Sequence, residues 1–204
     1  MAFYIFPRAI PKETCKTYLK YCMKNSDFED ASVINKGFTA VGDADDMDNE
    51  ERSKTDHETR KTAISWITDK DNMMNEIVWG FIRQANAEFF KYNLEYFQAI
   101  QFARYQDGGH YDWHQDASPQ DLSVENRKLS LTFSLTDHTT YDGGLLQFYN
   151  GGKPYEDADH DIERDIKSVG TVIVFDSRDY HRVTPVTRGV RYSIVCWTVG
   201  PNFV

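Results

Sequence analysis

The sequence predicts an α+β, mainly β domain: a β-sandwich or barrel propped by helices near the N-terminus. Three observations point there. A chain of 204 residues with 40% hydrophobic and 27% charged residues has the length and composition of one ordinary globular domain. Its first half carries two stretches with helical apolar spacing. After Asn93, short β-rich runs follow one another, divided by Gly, Asp and Pro clusters, and that order of elements favours a layered α+β architecture.

In chain order, Phe3-Tyr4-Ile5-Phe6 reads as a short strand. Pro11 suits the first turn of a helix, and Cys15, Tyr18, Leu19, Cys22 and Met23 recur at i, i+3, i+4, i+7 and i+8 on one face. Residues 33–39 read as extended, an acidic loop spans 42–60, and Thr62 to Ile67 reads as a strand. Asp69 or Asp71 suits the cap of a long helix whose buried face holds Met74, Ile77, Val78, Phe81, Ala85, Phe89 and Tyr92. Gln98–Tyr105, Leu129–Leu135, Leu145–Tyr149, Gly170–Phe175 and Gly189–Val199 then read as strands. In the second of these, Leu129, Leu131, Phe133 and Leu135 alternate with polar neighbours, the period-two pattern of a half-buried strand.

Charge and cysteine usage narrow the function classes. Net charge is −9, with a net of −5 in residues 43–60 and another −5 in residues 156–165. That balance counts against a protein that tracks nucleic-acid phosphates. No apolar run approaches the ~18 residues a membrane helix needs. The start MAFYIFPRAIPKE lacks the layout of a secretory signal. Cys15, Cys22 and Cys196 form no disulfide framework and read as free buried thiols. A soluble, cytoplasmic protein with no membrane partner is the expectation.

The chemistry-bearing residues lie late in the chain. Two His-x-Asp pairs occur in tandem, His110-Tyr111-Asp112 and His114-Gln115-Asp116. On a strand, residues two apart share a face, so either pair could present an imidazole and a carboxylate to one ion. Four residues apart, the pairs have the same parity, and periodicity cannot choose between them. His181 supplies a distant third ligand. Two histidines and one carboxylate on one face of an octahedron leave three positions open, the pattern of non-haem Fe(II) oxygenases. Downstream, Arg191, Ser193, Val195, Trp197 and Val199 share one face of a strand whose other face holds Val190, Tyr192, Ile194 and Cys196. A guanidinium on so apolar a strand is expected to point inward and to need an anionic partner, either an acid from elsewhere in the fold or a bound carboxylate, which matches its planar fork.

The segments YQDGGHYDWHQDA (105–117), YDGGLLQFYN (141–150) and GTVIVFDSRDYHRVTPVTRGVRYSIVCWTVGP (170–201) together resemble the Fe(II)/2-oxoglutarate dioxygenase superfamily. More narrowly, they are similar to the prolyl 4-hydroxylase catalytic domain and the PKHD-type hydroxylases. The resemblance covers residues 97–201. Its Tyr-x-x-His-x-Asp motif falls on Tyr111, His114 and Asp116, which selects the second tandem pair and leaves His110 and Asp112 without a role. It implies a double-stranded β-helix (a jelly-roll, cupin-like barrel) with Fe(II) held by His114, Asp116 and His181. It further implies that Arg191, helped by Tyr105 and Ser193, anchors the far carboxylate of 2-oxoglutarate, with ascorbate as an optional reductant. One departure is that Gly143-Gly144 leads into Leu145, where relatives often carry Glu.

On this reading residues 1–204 form one domain, with 1–96 as helical support and acidic lid loop and 97–201 as the jelly-roll core. The implied reaction consumes dioxygen, hydroxylates a C–H bond of a prolyl residue in a peptide or protein, and releases succinate and CO2. The acidic loop makes a basic peptide an attractive partner, and Tyr111, Trp113 and Tyr149 are candidates to pack on a proline ring. The alternatives are the same chemistry on a free amino acid or a nucleic-acid base, or a non-catalytic cupin-like binding module.

Overall fold

The computed structural model describes residues 3–31, 33–34, 53–54, 56–69, 72–117, 126–150, 153–154 and 165–201. Most of both acidic segments, 43–60 and 156–165, lies outside the described residues, as does Asp71. The expectation of a lid in 42–60 therefore falls there too.

Among the described residues the architecture is three-layered: helices, a large sheet, a smaller sheet. The chain-ordered strands are β1 (Phe3–Phe6), β2 (Glu29–Asp30), β3 (Val33–Ile34), β4 (Ser53–Lys54), β5 (Arg60–Lys61) and β6 (Ala63–Ile67). They continue as β7 (Tyr96–Phe97), β8 (Ile100–Gln106), β9 (His110–His114), β10 (Arg127–Ser134), β11 (Asp142–Gly143) and β12 (Leu146–Asn150). The last are β13 (Lys153–Pro154), β14 (Val172–Asp176), β15 (His181–Val183), β16 (Val186–Arg188) and β17 (Val190–Val199). The large sheet runs β1-β14-β10-β17-β8-β6-β2, with β7 also on β17, and the small one runs β13-β12-β15-β9-β5. Pairing throughout is antiparallel, and β10 sits between β14 and β17. The first 96 residues supply strands as well as helices, because β1 and β6 extend the large sheet and β5 borders the small one.

Helix α1 (Lys12–Lys24) buries Cys15, Tyr18 and Cys22 as its spacing predicts, but Pro11 is the residue before the first turn and Met23 is exposed. Helix α2 (Asn75–Ala85) buries Val78, Ile82 and Ala85. Its entry is held by Asn72, whose Oδ1 accepts from the Met74 amide at 3.0 Å, rather than by Asp69. After Ala85 the chain widens into a π-turn, Asn86–Phe90, ending at left-handed Lys91. A π-turn adds a residue per turn and rotates everything beyond it. Phe89, expected on the buried face, is therefore exposed.

Both helices pack on one face of the large sheet. Cys15, Tyr18, Cys22, Met74, Val78 and Ile82 cluster with Leu129, Leu131, Phe133, Val172, Val174, Ile194 and Cys196. The alternate residues of the same strands face the small sheet, where Ile173, Phe175, Ala103 and Tyr105 meet Leu146, Phe148 and Val183. Strand β10 is thus buried on both sides. Its polar row, Ser130, Thr132 and Ser134, points between the sheets and not to water. Truncating Leu131 or Phe133 to alanine would cost about 2–5 kcal/mol.

Candidate metal centre

The site begins with a flaw in the pairing of β9. Its register with β15 is His181↔His114 and Val183↔Tyr111, so Asp112 and Trp113 together oppose the single residue Arg182. That is a β-bulge, one extra residue in one strand. It puts Tyr111 and His114 on the same face, where their rings stack with centroids 3.4 Å apart and planes 11° apart. The equal parity expected for His110 and His114 is thereby broken. His110 turns away, with Nδ1 2.9 Å from the Gly108 carbonyl and Nε2 3.1 Å from the Glu58 carbonyl. Asp112 is exposed. Trp113 lies on the opposite face from His114, edge-on to Tyr149 and under the Arg182 guanidinium. Of the three aromatic residues expected near substrate, Tyr111 alone touches a triad ring.

His114, Asp116 and His181 converge, their ligand atoms all within 4.8 Å of one another. His114 Nε2 is 3.6 Å from Asp116 Oδ1, and His181 Nε2 is 3.5 Å from Asp116 Oδ2. Asp116 does not share a strand face with His114 as the spacing suggested, because β9 ends at His114 and Asp116 sits in the bend that follows. Each imidazole donates through Nδ1 to a backbone carbonyl two residues back, Asp112 at 2.7 Å and Asp179 at 2.9 Å. This fixes the tautomer and leaves each Nε2 lone pair aimed at the shared centre.

Asp116 is held from outside the motif. Ser130 Oγ donates to its Oδ2 at 2.7 Å and lies 2.9 Å from Ser177 Oγ. An ionised carboxylate only accepts, and Ser130 has a single hydroxyl proton, so Ser177 must donate to Ser130. Arg127 donates to the Asp116 carbonyl at 3.2 Å, and the Ala117 amide donates to the Ser177 carbonyl at 2.9 Å. The Gln115 amide also donates to the Arg178 carbonyl. The turn that delivers His181 is thus tied directly to the bend that delivers Asp116.

Charge favours a cation here. Burial on its own would raise the Asp116 carboxyl, but His181, His114 and Arg127 outweigh it and hold the group well below the usual carboxylate range. Burial against Phe175 and Phe148, with His114 beside it, pushes His181 down to about 4, which keeps its imidazole neutral and able to coordinate. Two neutral imidazole nitrogens and one carboxylate suit a divalent transition metal, with further positions left for other ligands.

Arg191 lies inward on β17, 6% exposed. Its Nη1 donates to Ser193 Oγ at 3.2 Å and its guanidinium carbon is 5.2 Å from the Tyr105 ring centre. The structure therefore groups the three residues expected to contact 2-oxoglutarate, and no carboxylate among the described residues pairs with the guanidinium. It borders a shallow recess lined also by Thr132, Tyr141, Leu146 and Ile173. Gly144 makes room for it. Its φ is +60°, and a Cβ there would come within 2.9 Å of Arg191 Cδ. Gly144, Ser130 and Ser177 were not singled out from the sequence. Gly144 stood within a recognised Gly-Gly pair, whereas the serines gave no signal beyond a polar slot in an apolar run.

Comparison with known proteins agrees with this arrangement. The profile of the 2OG-Fe(II) oxygenase superfamily matches residues 100–199. A PKHD-type hydroxylase of Pseudoalteromonas atlantica is 33% identical over 100 residues, 47% of this chain and 40% of that protein. One from Janthinobacterium sp. is 35% identical over 101 residues, 47% of this chain and 41% of that protein. The matched part thus spans about two-fifths of the length of these relatives. A Pseudomonas putida prolyl-4-hydroxylase shares the fold at TM-score 0.66 and 20% identity, over 98% of this chain and 94% of that one. So does a Trichoplax adhaerens prolyl hydroxylase solved with a hypoxia inducible factor peptide fragment, at TM-score 0.66 and 17% identity, over 97% and 83%. The family profile across the strand-rich half and the His-Asp-His triad at its centre place residues 100–199 in the 2OG-Fe(II) oxygenase superfamily.

Proposed function

We propose that the protein is an Fe(II)- and 2-oxoglutarate-dependent dioxygenase that hydroxylates a C–H bond of a prolyl residue in a peptide or protein. The observation that carries this reading is the pairing of the His114-Asp116-His181 triad with a buried guanidinium, Arg191, that pairs with no carboxylate among the described residues. Fe(II) bound at the triad would supply the dioxygen-activating chemistry, with 2-oxoglutarate as the two-electron reductant that leaves as succinate and CO2. The chain's own part is geometric. Asp112 and Asp179 carbonyls orient the imidazoles, and Ser130 orients the carboxylate. Arg191 and Ser193 receive the distal carboxylate of 2-oxoglutarate. Phe148, Phe175 and Val183 keep water from the space between.

The prolyl assignment is supported by the names of the structural neighbours, one of them solved with a peptide. The acidic segments favour a basic polypeptide at long range. The test is an anaerobic Fe(II) and 2-oxoglutarate titration, followed by a succinate assay over a panel of prolyl peptides with ascorbate present. His181→Ala should abolish turnover, and Arg191→Met should mainly weaken 2-oxoglutarate. Absence of metal-dependent 2-oxoglutarate binding in the wild type would refute the chemistry. Succinate formed with no prolyl peptide consumed would refute the substrate.

A further inference from the structure

The proposed function employs one buried guanidinium and leaves another beside the triad with nothing to do. Arg60, on β5, is directly opposite Tyr111 on β9 and only 9% exposed. Its guanidinium carbon lies 4.3 Å from the Tyr111 ring centre, and that ring stacks on His114 at 3.4 Å. The two distances together put the guanidinium carbon no more than 7.7 Å from the centre of a triad imidazole. Its Nη2 donates to Gln101 Oε1 at 3.1 Å. Its Nε is buried without a partner, and no carboxylate among the described residues pairs with it.

A buried cation with no carboxylate partner among the described residues is costly. Among the described residues three buried side-chain atoms lack partners, Arg60 Nε, Arg104 Nε and Trp197 Nε1. All three are donors. Arg104 is partly exposed and lies on the outer face of β8 against Phe28, so it carries nothing. The other two flank the triad, since Trp197 is the cross-strand partner of Ser130, which binds Asp116. Unspent donors and an unspent positive charge at one place call for an acceptor with a negative charge.

We infer that Arg60 is a recognition residue for a carboxylate carried by the substrate, a few bonds from the carbon that reacts. This rests on the Fe(II)- and 2-oxoglutarate-dependent chemistry of the proposed function and adds a substrate feature to it; a free amino acid as the source would replace the prolyl peptide proposed there. At one end of the site Arg191 takes the carboxylate of 2-oxoglutarate. Arg60, against the Tyr111 ring that stacks on His114, takes the carboxylate of the molecule to be oxidised. Two sources share this chemistry: the α-carboxylate of a free amino acid, and an acidic side chain next to the target residue in a peptide.

The test uses the full chain loaded with Co(II) and 2-oxoglutarate without oxygen, titrated calorimetrically with two matched pairs of probes. One pair is L-proline and L-prolinamide. The other is acetyl-Gly-Pro-Asp-amide and acetyl-Gly-Pro-Asn-amide. In at least one pair the carboxylate member should bind about tenfold tighter than the amide or better, and the pair that discriminates names the source. Arg60→Gln should erase that preference while leaving 2-oxoglutarate affinity unchanged, and Arg60→Lys should restore part of it. A wild type with no carboxylate preference in either pair overturns the inference, as does a preference that survives in Arg60→Gln. Failure of 2-oxoglutarate itself to bind the wild type would instead overturn the proposed function beneath it.

Discussion

Removing the Ser130 hydroxyl isolates the contribution of a residue that touches neither metal nor substrate. Ser130→Ala deletes one hydrogen bond of 2.7 Å to the Asp116 carboxylate and leaves both imidazoles and their carbonyl anchors intact. A hydrogen bond to a charged group is worth about 1.5–3 kcal/mol. At 1.4 kcal/mol per tenfold, its loss should weaken Co(II) binding by about tenfold to a hundredfold, the range typical of groups that orient metal ligands. The lower end is expected, because Arg127 still holds the Asp116 backbone carbonyl. Ser177→Ala gives the internal control. It leaves the bond to Asp116 in place and removes only the hydroxyl behind it, so its effect on the same titration should be smaller. Calorimetric Co(II) titration of the three proteins, each first shown to melt cooperatively, reads the order directly. Equal Co(II) affinity in Ser130→Ala and wild type, or a larger loss in Ser177→Ala, would refute the proton assignment and the role given to the relay.

Other outcomes follow from the same geometry. His110→Ala should leave Co(II) affinity unchanged, since its ring is spent on the Gly108 and Glu58 carbonyls; a loss as large as that of His114→Ala would mean the wrong tandem pair had been chosen. Gly144→Ala should weaken 2-oxoglutarate binding with little effect on Co(II), because the new methyl meets Arg191 Cδ, and calorimetry with each ligand separates the two. The thiols of Cys15, Cys22 and Cys196 are pushed by burial up to about 11, 12 and 12. Iodoacetamide at neutral pH should therefore spare all three in the folded protein and modify them after unfolding, read by mass spectrometry.

Much of this was legible in the chain. Alternation placed the principal strands, and the order of motifs placed His114, Asp116, His181 and Arg191. What alternation could not tell is which of two faces meets water. The Ser130-Thr132-Ser134 row read as a solvent face because its residues are polar, yet it is covered by the small sheet. Helical periodicity failed where the backbone changed its pitch, so Phe89 was misplaced by the π-turn after Ala85. Parity failed where β9 gains a residue against β15. Arg60 was counted only as a charge in an acidic segment, because its neighbours, Gln101 and Tyr111, are distant in sequence. Each miss is a contact or a register set by a partner strand, and no local pattern records it.

The kink in β9 gives the Tyr-x-x-His spacing a mechanical meaning. Were the strand regular, residues three apart would look in opposite directions, and the tyrosine could not lean on the ligand. The two intervening letters thus encode a defect, and their number matters more than their identity. Forcing that stretch into ordinary pairing at its present length would swing the imidazole out of the interior, with every ligand still present in the sequence. Transplanting such a centre onto another sheet requires carrying over the irregularity along with the side chains.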